Sequence, residues 1–224
     1  MKVILFGATG MVGQGVLREC LLDPAVSQVL AIGRVATGQK HDKLREIAHA
    51  NFLDFAAIES ETSGYDACFY CVGITSSGMK EEDYHRVTYE YAVSAARTLL
   101  KVSPGLTFIF VSGAGSDSTE RGKTMWARVK GKTENAILAM PFKASFVFRP
   151  AIIRPLHGIK SKTRSYRVMY SILGPLVPLI KAISPGSMST TEIVGRAMLK
   201  VAKQGAPVRV LHTKEINAMG EMGG

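Results

Sequence analysis

Short apolar runs alternate along the chain with longer stretches in which apolar positions recur every three or four residues. The runs cover residues 2–6 (KVILF), 29–33 (VLAIG), 50–54 (ANFLD), 67–72 (ACFYCV), 107–112 (TFIFVS) and 144–150 (ASFVFRP), with a shorter 208–211 (VRVL) near the end. Helical spacing runs over 11–22, 81–102 and 124–140. Strands apolar on both faces and separated by helices bury both faces, which is the arrangement of a parallel sheet covered on each side. The pattern therefore predicts an α/β, doubly wound parallel sheet. Pro24 and Pro104–Gly105 punctuate it by ending helices before the next strand. No internal repeat, low-complexity tract or linker divides the chain, so residues 1–224 are expected to form one domain.

The first strand runs directly into glycine: VILFGATGMVGQG. A helix starting near Met11 places unpaired N–H groups and the positive end of its dipole at this turn, a ready anion site. In such a Gly-x-x-Gly-x-x-Gly turn, Gly7 permits the sharp bend. Gly10 lets backbone approach a pyrophosphate, and Gly13 lets the helix pack close to the sheet. Thr9, Met11 and Val12, interleaved with these glycines, complete the expected cofactor contacts. A P-loop is excluded, because Gly-Lys-Ser/Thr would have to follow where the chain reads GQG. The turn predicts dinucleotide binding.

The end of the second strand separates NAD from NADP. An acid there accepts hydrogen bonds from the adenosine ribose 2′-hydroxyl, whereas an arginine suits a 2′-phosphate. The chain reads AIGRVATGQK, with Arg34 and no acid, and Lys40 close behind. A guanidinium offers a charge-assisted fork to phosphate, so NADP (NADPH) is the expected cofactor.

Composition sharpens this picture in two places. The net charge of +10 is uneven: the first 120 residues carry ten Lys/Arg and fourteen Asp/Glu, the remainder eighteen and four. A basic second half suits a solvated surface, phosphate-bearing ligands or anionic membrane. Nucleic acid is not expected, since no recognition-helix motif or aromatic stacking platform accompanies the charge. The three cysteines are too few for a disulfide framework. Cys68 and Cys71 lie in one strand, where residues three apart face opposite ways. The five histidines show no metal-ligand spacing, so no metal is expected. With no uninterrupted apolar run of roughly 18 residues and a chain that enters a strand at once, a cytoplasmic location is the expectation.

Taken in order, GATGMVG, the GR after the second strand, NFLDF, CVGITSSG, VSGAGSD, WARVKGKTE and VFRP resemble the atypical short-chain dehydrogenase/reductases. They are most similar to the Tat-interacting-protein oxidoreductase branch. The resemblance covers about residues 1–155 and continues more loosely beyond. It implies Asp54 near the adenine, and Cys71, Val72, Gly73 and Thr75 along the cofactor. It also implies Lys130 at the nicotinamide ribose and Arg149–Pro150 closing the site. One departure stands out. The catalytic pattern of the superfamily is Tyr-x-x-x-Lys on one helix face, where the ammonium lowers the phenol's pKa. Here WARVK puts Trp126 at the tyrosine position, and an indole N–H is a donor that does not titrate usefully. Ser112 or Ser116 takes the serine's place.

Residues 155–190 correspond to the substrate-side segment of that superfamily. They contain a basic stretch at 160–167 followed by apolar, proline-broken sequence. The stretch suits the outer face of a helix, or weak peripheral contact with anionic lipid. Tyr166 and Tyr170 lie within the segment as replacements for the missing phenol. Two functional classes follow. One is an NADP(H)-dependent oxidoreductase or epimerase-like enzyme acting on a small carbonyl substrate; the other is an NADPH-binding regulatory or sensor module without turnover.

Overall fold

The computed structural model describes residues 1–159 and 188–221. Lys2–Phe6 (β1), Gln28–Gly33 (β2), Leu44–Ala48 (β3), Ala67–Tyr70 (β4), Thr107–Val111 (β5), Ala144–Arg149 (β6) and Val210–His212 (β9) form one sheet. Their order is β3-β2-β1-β4-β5-β6-β9, and every pair is parallel. This is the doubly wound fold that the alternation of runs and helices predicts. Ile152–Arg154 (β7) and Met188–Thr190 (β8) pair in a separate two-stranded sheet, which the apolar pattern did not mark because both strands are only three residues long.

Alternation along the central strands divides the core in two. Val3 and Leu5 of β1, Val29 and Ala31 of β2, and Phe69 of β4 face one side. There they meet Met11–Leu22 (α1), Thr191–Gln204 (α5) and Thr213–Glu221 (α6). Ile4, Phe6, Leu30, Ile32 and Tyr70 face the other side. That side is covered by Tyr91–Val102 (α3) and Met125–Ala139 (α4). A strand whose two faces are both buried has to be apolar at successive positions, which is why β1, β4 and β5 read as uninterrupted runs.

Two boundaries differ from the sequence reading. The third strand is LREIA at Leu44–Ala48, not the run at 50–54. As the sheet's edge it is half exposed and carries Arg45 and Glu46, so hydrophobicity does not mark it. The apolar residues after it serve the turn: Phe52 and Phe55 pack edge-on against Phe6, with ring centroids 6.0 and 5.7 Å away. Asn51 and Asp54 shape that turn by accepting from the backbone N–H groups of Leu53 (3.2 Å) and Ala56 (2.8 Å). The helical stretch at 81–102 divides into Glu81–His85 (α2), a π-helical segment at Arg86–Glu90, and α3.

Helix α1 crosses α5 at a seam of small residues. A Cβ on Gly15 would stand 2.5 Å from the Thr191 Cβ, and one on Gly195 would stand 2.7 Å from the Glu19 Cγ. Beside the seam the buried Glu19 carboxylate takes Arg18, and also Arg196 Nε at 3.1 Å. Gly15→Val should force the two backbones apart and lower stability by about 1–3 kcal/mol. A urea midpoint equal to the parent's would refute this account of the seam.

Candidate functional site

The site begins where β1 ends. Gly7 holds φ +81°, and a Cβ there would stand 2.7 Å from the Cys71 carbonyl carbon and 2.8 Å from the Val72 nitrogen. The turn leaving β1 is therefore pressed against the loop leaving β4, backbone to backbone. Helix α1 follows β1 on one face of the sheet, whereas the chain after β4 goes to α2 and α3 on the other. This divergence opens a crevice at the carboxyl ends of the strands, the position at which doubly wound sheets bind ligands.

The crevice is built to take an anion. Gly10 is the N-cap of α1, no side chain caps the helix, and its first turn holds no acid. Its leading N–H groups, at Met11, Val12 and Gly13, are thus left to a ligand. A Cβ on Gly13 would run into the Gly7 carbonyl, so the helix can begin this close to the strand only with glycine there. Thr9 sits in the turn, its carbonyl accepting from Gln14 Nε2 at 3.2 Å. Beside the turn lies a small cleft lined by Gly7 and Thr9, by Gly33, Val35 and Thr37, and by Glu46 of β3. Arg34, between the lining residues Gly33 and Val35, is exposed and, among the described residues, has no hydrogen bond or ion pair. Lys40 is exposed on the same loop.

The other residues that the resemblance assigns to the cofactor fall on the neighbouring loops. Asp54 is exposed beyond β3, its carboxylate holding the Ala56 N–H. Its carbonyl and that of Asn51 both accept from His49 Nε2, at 2.7 and 2.8 Å. Cys71 extends the β1–β4 pairing, its N–H donating to the Phe6 carbonyl at 2.9 Å, and burial pushes its thiol well above the usual range. Val72, Gly73 and Thr75 follow on the loop, with Thr75 Oγ1 accepting from the Ser77 N–H at 3.3 Å.

Beyond β5 stands a connected polar group. Ser112 Oγ–H donates to Glu134, and Ser112 Oγ lies 2.9 Å from Ser116 Oγ, so both candidate serines belong to one network. Arg149 Nε reaches both Glu134 oxygens, at 3.0 and 3.1 Å, while its Nη2 bonds Glu134 and Ser118 Oγ. Arg149 is thereby committed within the protein, holding β6 to α4. The buried Pro150 follows, its carbonyl accepting from the Ala114 N–H at 2.9 Å. Sequence reasoning gave Glu134 no role. Its signal was present, four residues after Lys130 and eight after Trp126, on one face of α4.

Lys130 differs from Arg149. Its Nζ lies 5.9 Å from the centre of the Phe110 ring and, among the described residues, has no hydrogen bond. Desolvation pulls its pKa down to about 8, with nearby Glu134 opposing the shift. Trp126, one turn before it, packs on Gly115 of the serine loop: a Cβ on that glycine, which holds φ +86°, would touch the indole at 3.2 Å. The positions of Ser112, Trp126 and Lys130 thus cluster, but the aromatic member carries no titratable proton. Tyr166, Tyr170 and the basic stretch at 160–167 lie outside the described residues.

This fold and turn define a dinucleotide-binding Rossmann protein. The chain belongs to the NAD dependent epimerase/dehydratase family, whose model matches residues 3–123. It is 29% identical over 163 residues to Protein FMP52-2, mitochondrial, of Scheffersomyces stipitis, covering 72% of this chain and 69% of that one. It is 25% identical over 222 residues to Protein HTATIP2 of Rattus norvegicus, covering 90% and 89%. Bordetella bronchiseptica WbmH, described in complex with NAD+, shares the fold with a TM-score of 0.66 and 15% identity over 94% of this chain and 74% of that one. The resemblance read from the ordered motifs therefore holds. The expected cytoplasmic location does not, because the FMP52 relatives are named mitochondrial. Apolar-run length and the start of the chain carry no information on that address. Among the described residues no helix is long and apolar enough to cross a membrane.

The Lys130 environment has a measurable signature. The folded chain releases this proton near pH 8 and the unfolded chain near 10.5, so between those values the unfolded state binds more protons and folding gains as pH rises. The stability of the parent relative to Lys130→Met should climb through that window. A flat or falling difference in denaturant midpoint would contradict the desolvation of this ammonium.

Proposed function

We propose that the chain is an NADP(H)-dependent oxidoreductase or epimerase-like enzyme acting on a small carbonyl substrate. The observation that carries this reading is a cleft lined by the uncapped glycine turn and by the loop after β2, on which Arg34 has no hydrogen bond or ion pair among the described residues. The start of α1 is suited to the pyrophosphate, and Arg34, with Lys40 near it, to an adenosine 2′-phosphate. When bound, a nicotinamide cofactor supplies or accepts a hydride. The half-buried Lys130 has no internal hydrogen-bond partner among the described residues, which suits it to ribose hydroxyls, and its pKa near neutrality suits it to hold or release a proton.

The cofactor preference is open to direct measurement. Losing a charged partner to phosphate costs roughly 1.5–3 kcal/mol, so Arg34→Ala should weaken NADPH about ten- to a hundredfold and leave NADH nearly unchanged. Fluorescence titration of parent and variant with both cofactors tests it, and equal parental affinities would overturn the preference.

Trp126 supports a second reading, in which the chain binds NADPH without turnover. The tyrosine position carries an indole, and the Ser112 hydroxyl proton is directed to Glu134. On this reading the parent binds NADPH yet consumes almost none with simple aldehydes and ketones. Trp126→Tyr then recreates the Tyr-x-x-x-Lys pair, and a positioned proton donor is worth about 10²–10⁴-fold. Strong parental turnover that survives Trp126→Phe would exclude the second reading.

A further inference from the structure

The cleft beside the glycine turn holds an acid that the second strand lacks. Glu46 sits on β3 directly across from Ala31 of β2, on the α1 side of the sheet. An alanine neighbour leaves room, and the glutamate side chain lines the cleft together with Gly7, Thr9 and Gly33. One of its oxygens accepts the Thr37 N–H at 2.7 Å, fixing the loop that carries Arg34. The other has no hydrogen bond among the described residues, on a side chain only half buried. Dinucleotide sites place an acceptor for the ribose 2′-hydroxyl at the end of β2, where this chain has Gly33 and Arg34.

We propose that Glu46 is a specificity-determining residue of the cofactor cleft, its free carboxylate oxygen accepting the adenosine ribose 2′-hydroxyl of NAD(H) and disfavouring the 2′-phosphate of NADP(H). The inference rests on the reading of this cleft as the adenosine site. Arg34 and Glu46 then act on one ribose with opposite charge: the guanidinium selects phosphate, and the carboxylate retains affinity for the hydroxyl. The protein accepts both cofactors, and the balance between the two side chains sets the ratio.

Glu46→Gln separates this role from support of the loop, because the amide oxygen can still accept from Thr37 while the charge is gone. Charge-assisted bonds are roughly twice as strong as neutral ones, so the variant should bind NADH about three- to tenfold more weakly. Removing the like charge should tighten NADPH by a similar factor. A companion measurement needs no variant: the 2′-deoxyadenosine analogue of NADH should bind the parent several-fold more weakly than NADH itself. An unmoved NADH/NADPH ratio in Glu46→Gln, or equal binding of the deoxy analogue, would overturn the role of Glu46. Glu46→Ala weakening both cofactors equally while Glu46→Gln weakens neither would reduce Glu46 to a loop support and overturn it as well. A parent that binds neither cofactor would instead overturn the reading of the cleft, and this inference with it.

Discussion

The backbone contact between Gly7 and the Cys71–Val72 peptide is the constraint from which the site follows. Two strand exits meet there without an intervening side chain, and a single Cβ at Gly7 would drive β1 and β4 apart at their carboxyl ends. Because the chains leaving these strands go to opposite faces, the same contact fixes where the crevice opens. The exclusion of a Cβ at Gly13 then sets how closely α1 starts, which brings its uncapped N–H groups to the mouth of the crevice. Position, polarity and access all trace to a few places where no side chain fits.

Around that mouth the charges divide into committed and uncommitted groups. Arg149 and Glu134 neutralise one another in the interior, where a lone buried charge would cost several kcal/mol. They fasten α4 to β6 and hold the serine hydroxyls in one arrangement. Arg34 and Lys130 are left without such partners among the described residues. A basic residue that an interior acid has already taken is a strut; one left unpaired beside a cleft is available to a ligand. Arg149, which the family resemblance placed at the cofactor, belongs to the first kind in this structure.

What the sequence disclosed, and what it hid, follow from the same physics. Doubly buried strands announce themselves because both faces must be apolar, and β1, β2, β4, β5 and β6 were readable to within a residue or two. The glycine turn was readable because close backbone approach admits few other residues. The edge strand β3 was not, since solvent on its flank permits LREIA, while the richer apolar run after it serves an aromatic turn. Glu134 and Glu46 were missed for a related reason. A helix acid and an edge-strand acid look like solvated surface until the partners across from them, Arg149 and the Thr37 N–H, are seen. Gly15 closes the same glycine-rich stretch, but its purpose lies at Thr191, far along the chain.

That distance has a consequence for how the molecule comes together. The Arg196–Glu19 contact beside the α1–α5 seam spans 177 residues of chain. Helix α1, whose uncapped start lies at the crevice, buries Val16, Leu17 and Cys20 in a layer shared with Val194, Ala197 and Met198 of α5. During synthesis these apolar positions of α1 wait for their α5 partners across that length of chain. Closure over so long a separation is entropically costly and slow relative to pairing of adjacent strands. The helix that starts at the mouth of the crevice is therefore locked only after a segment made much later, and until then the nascent chain carries an exposed hydrophobic stripe.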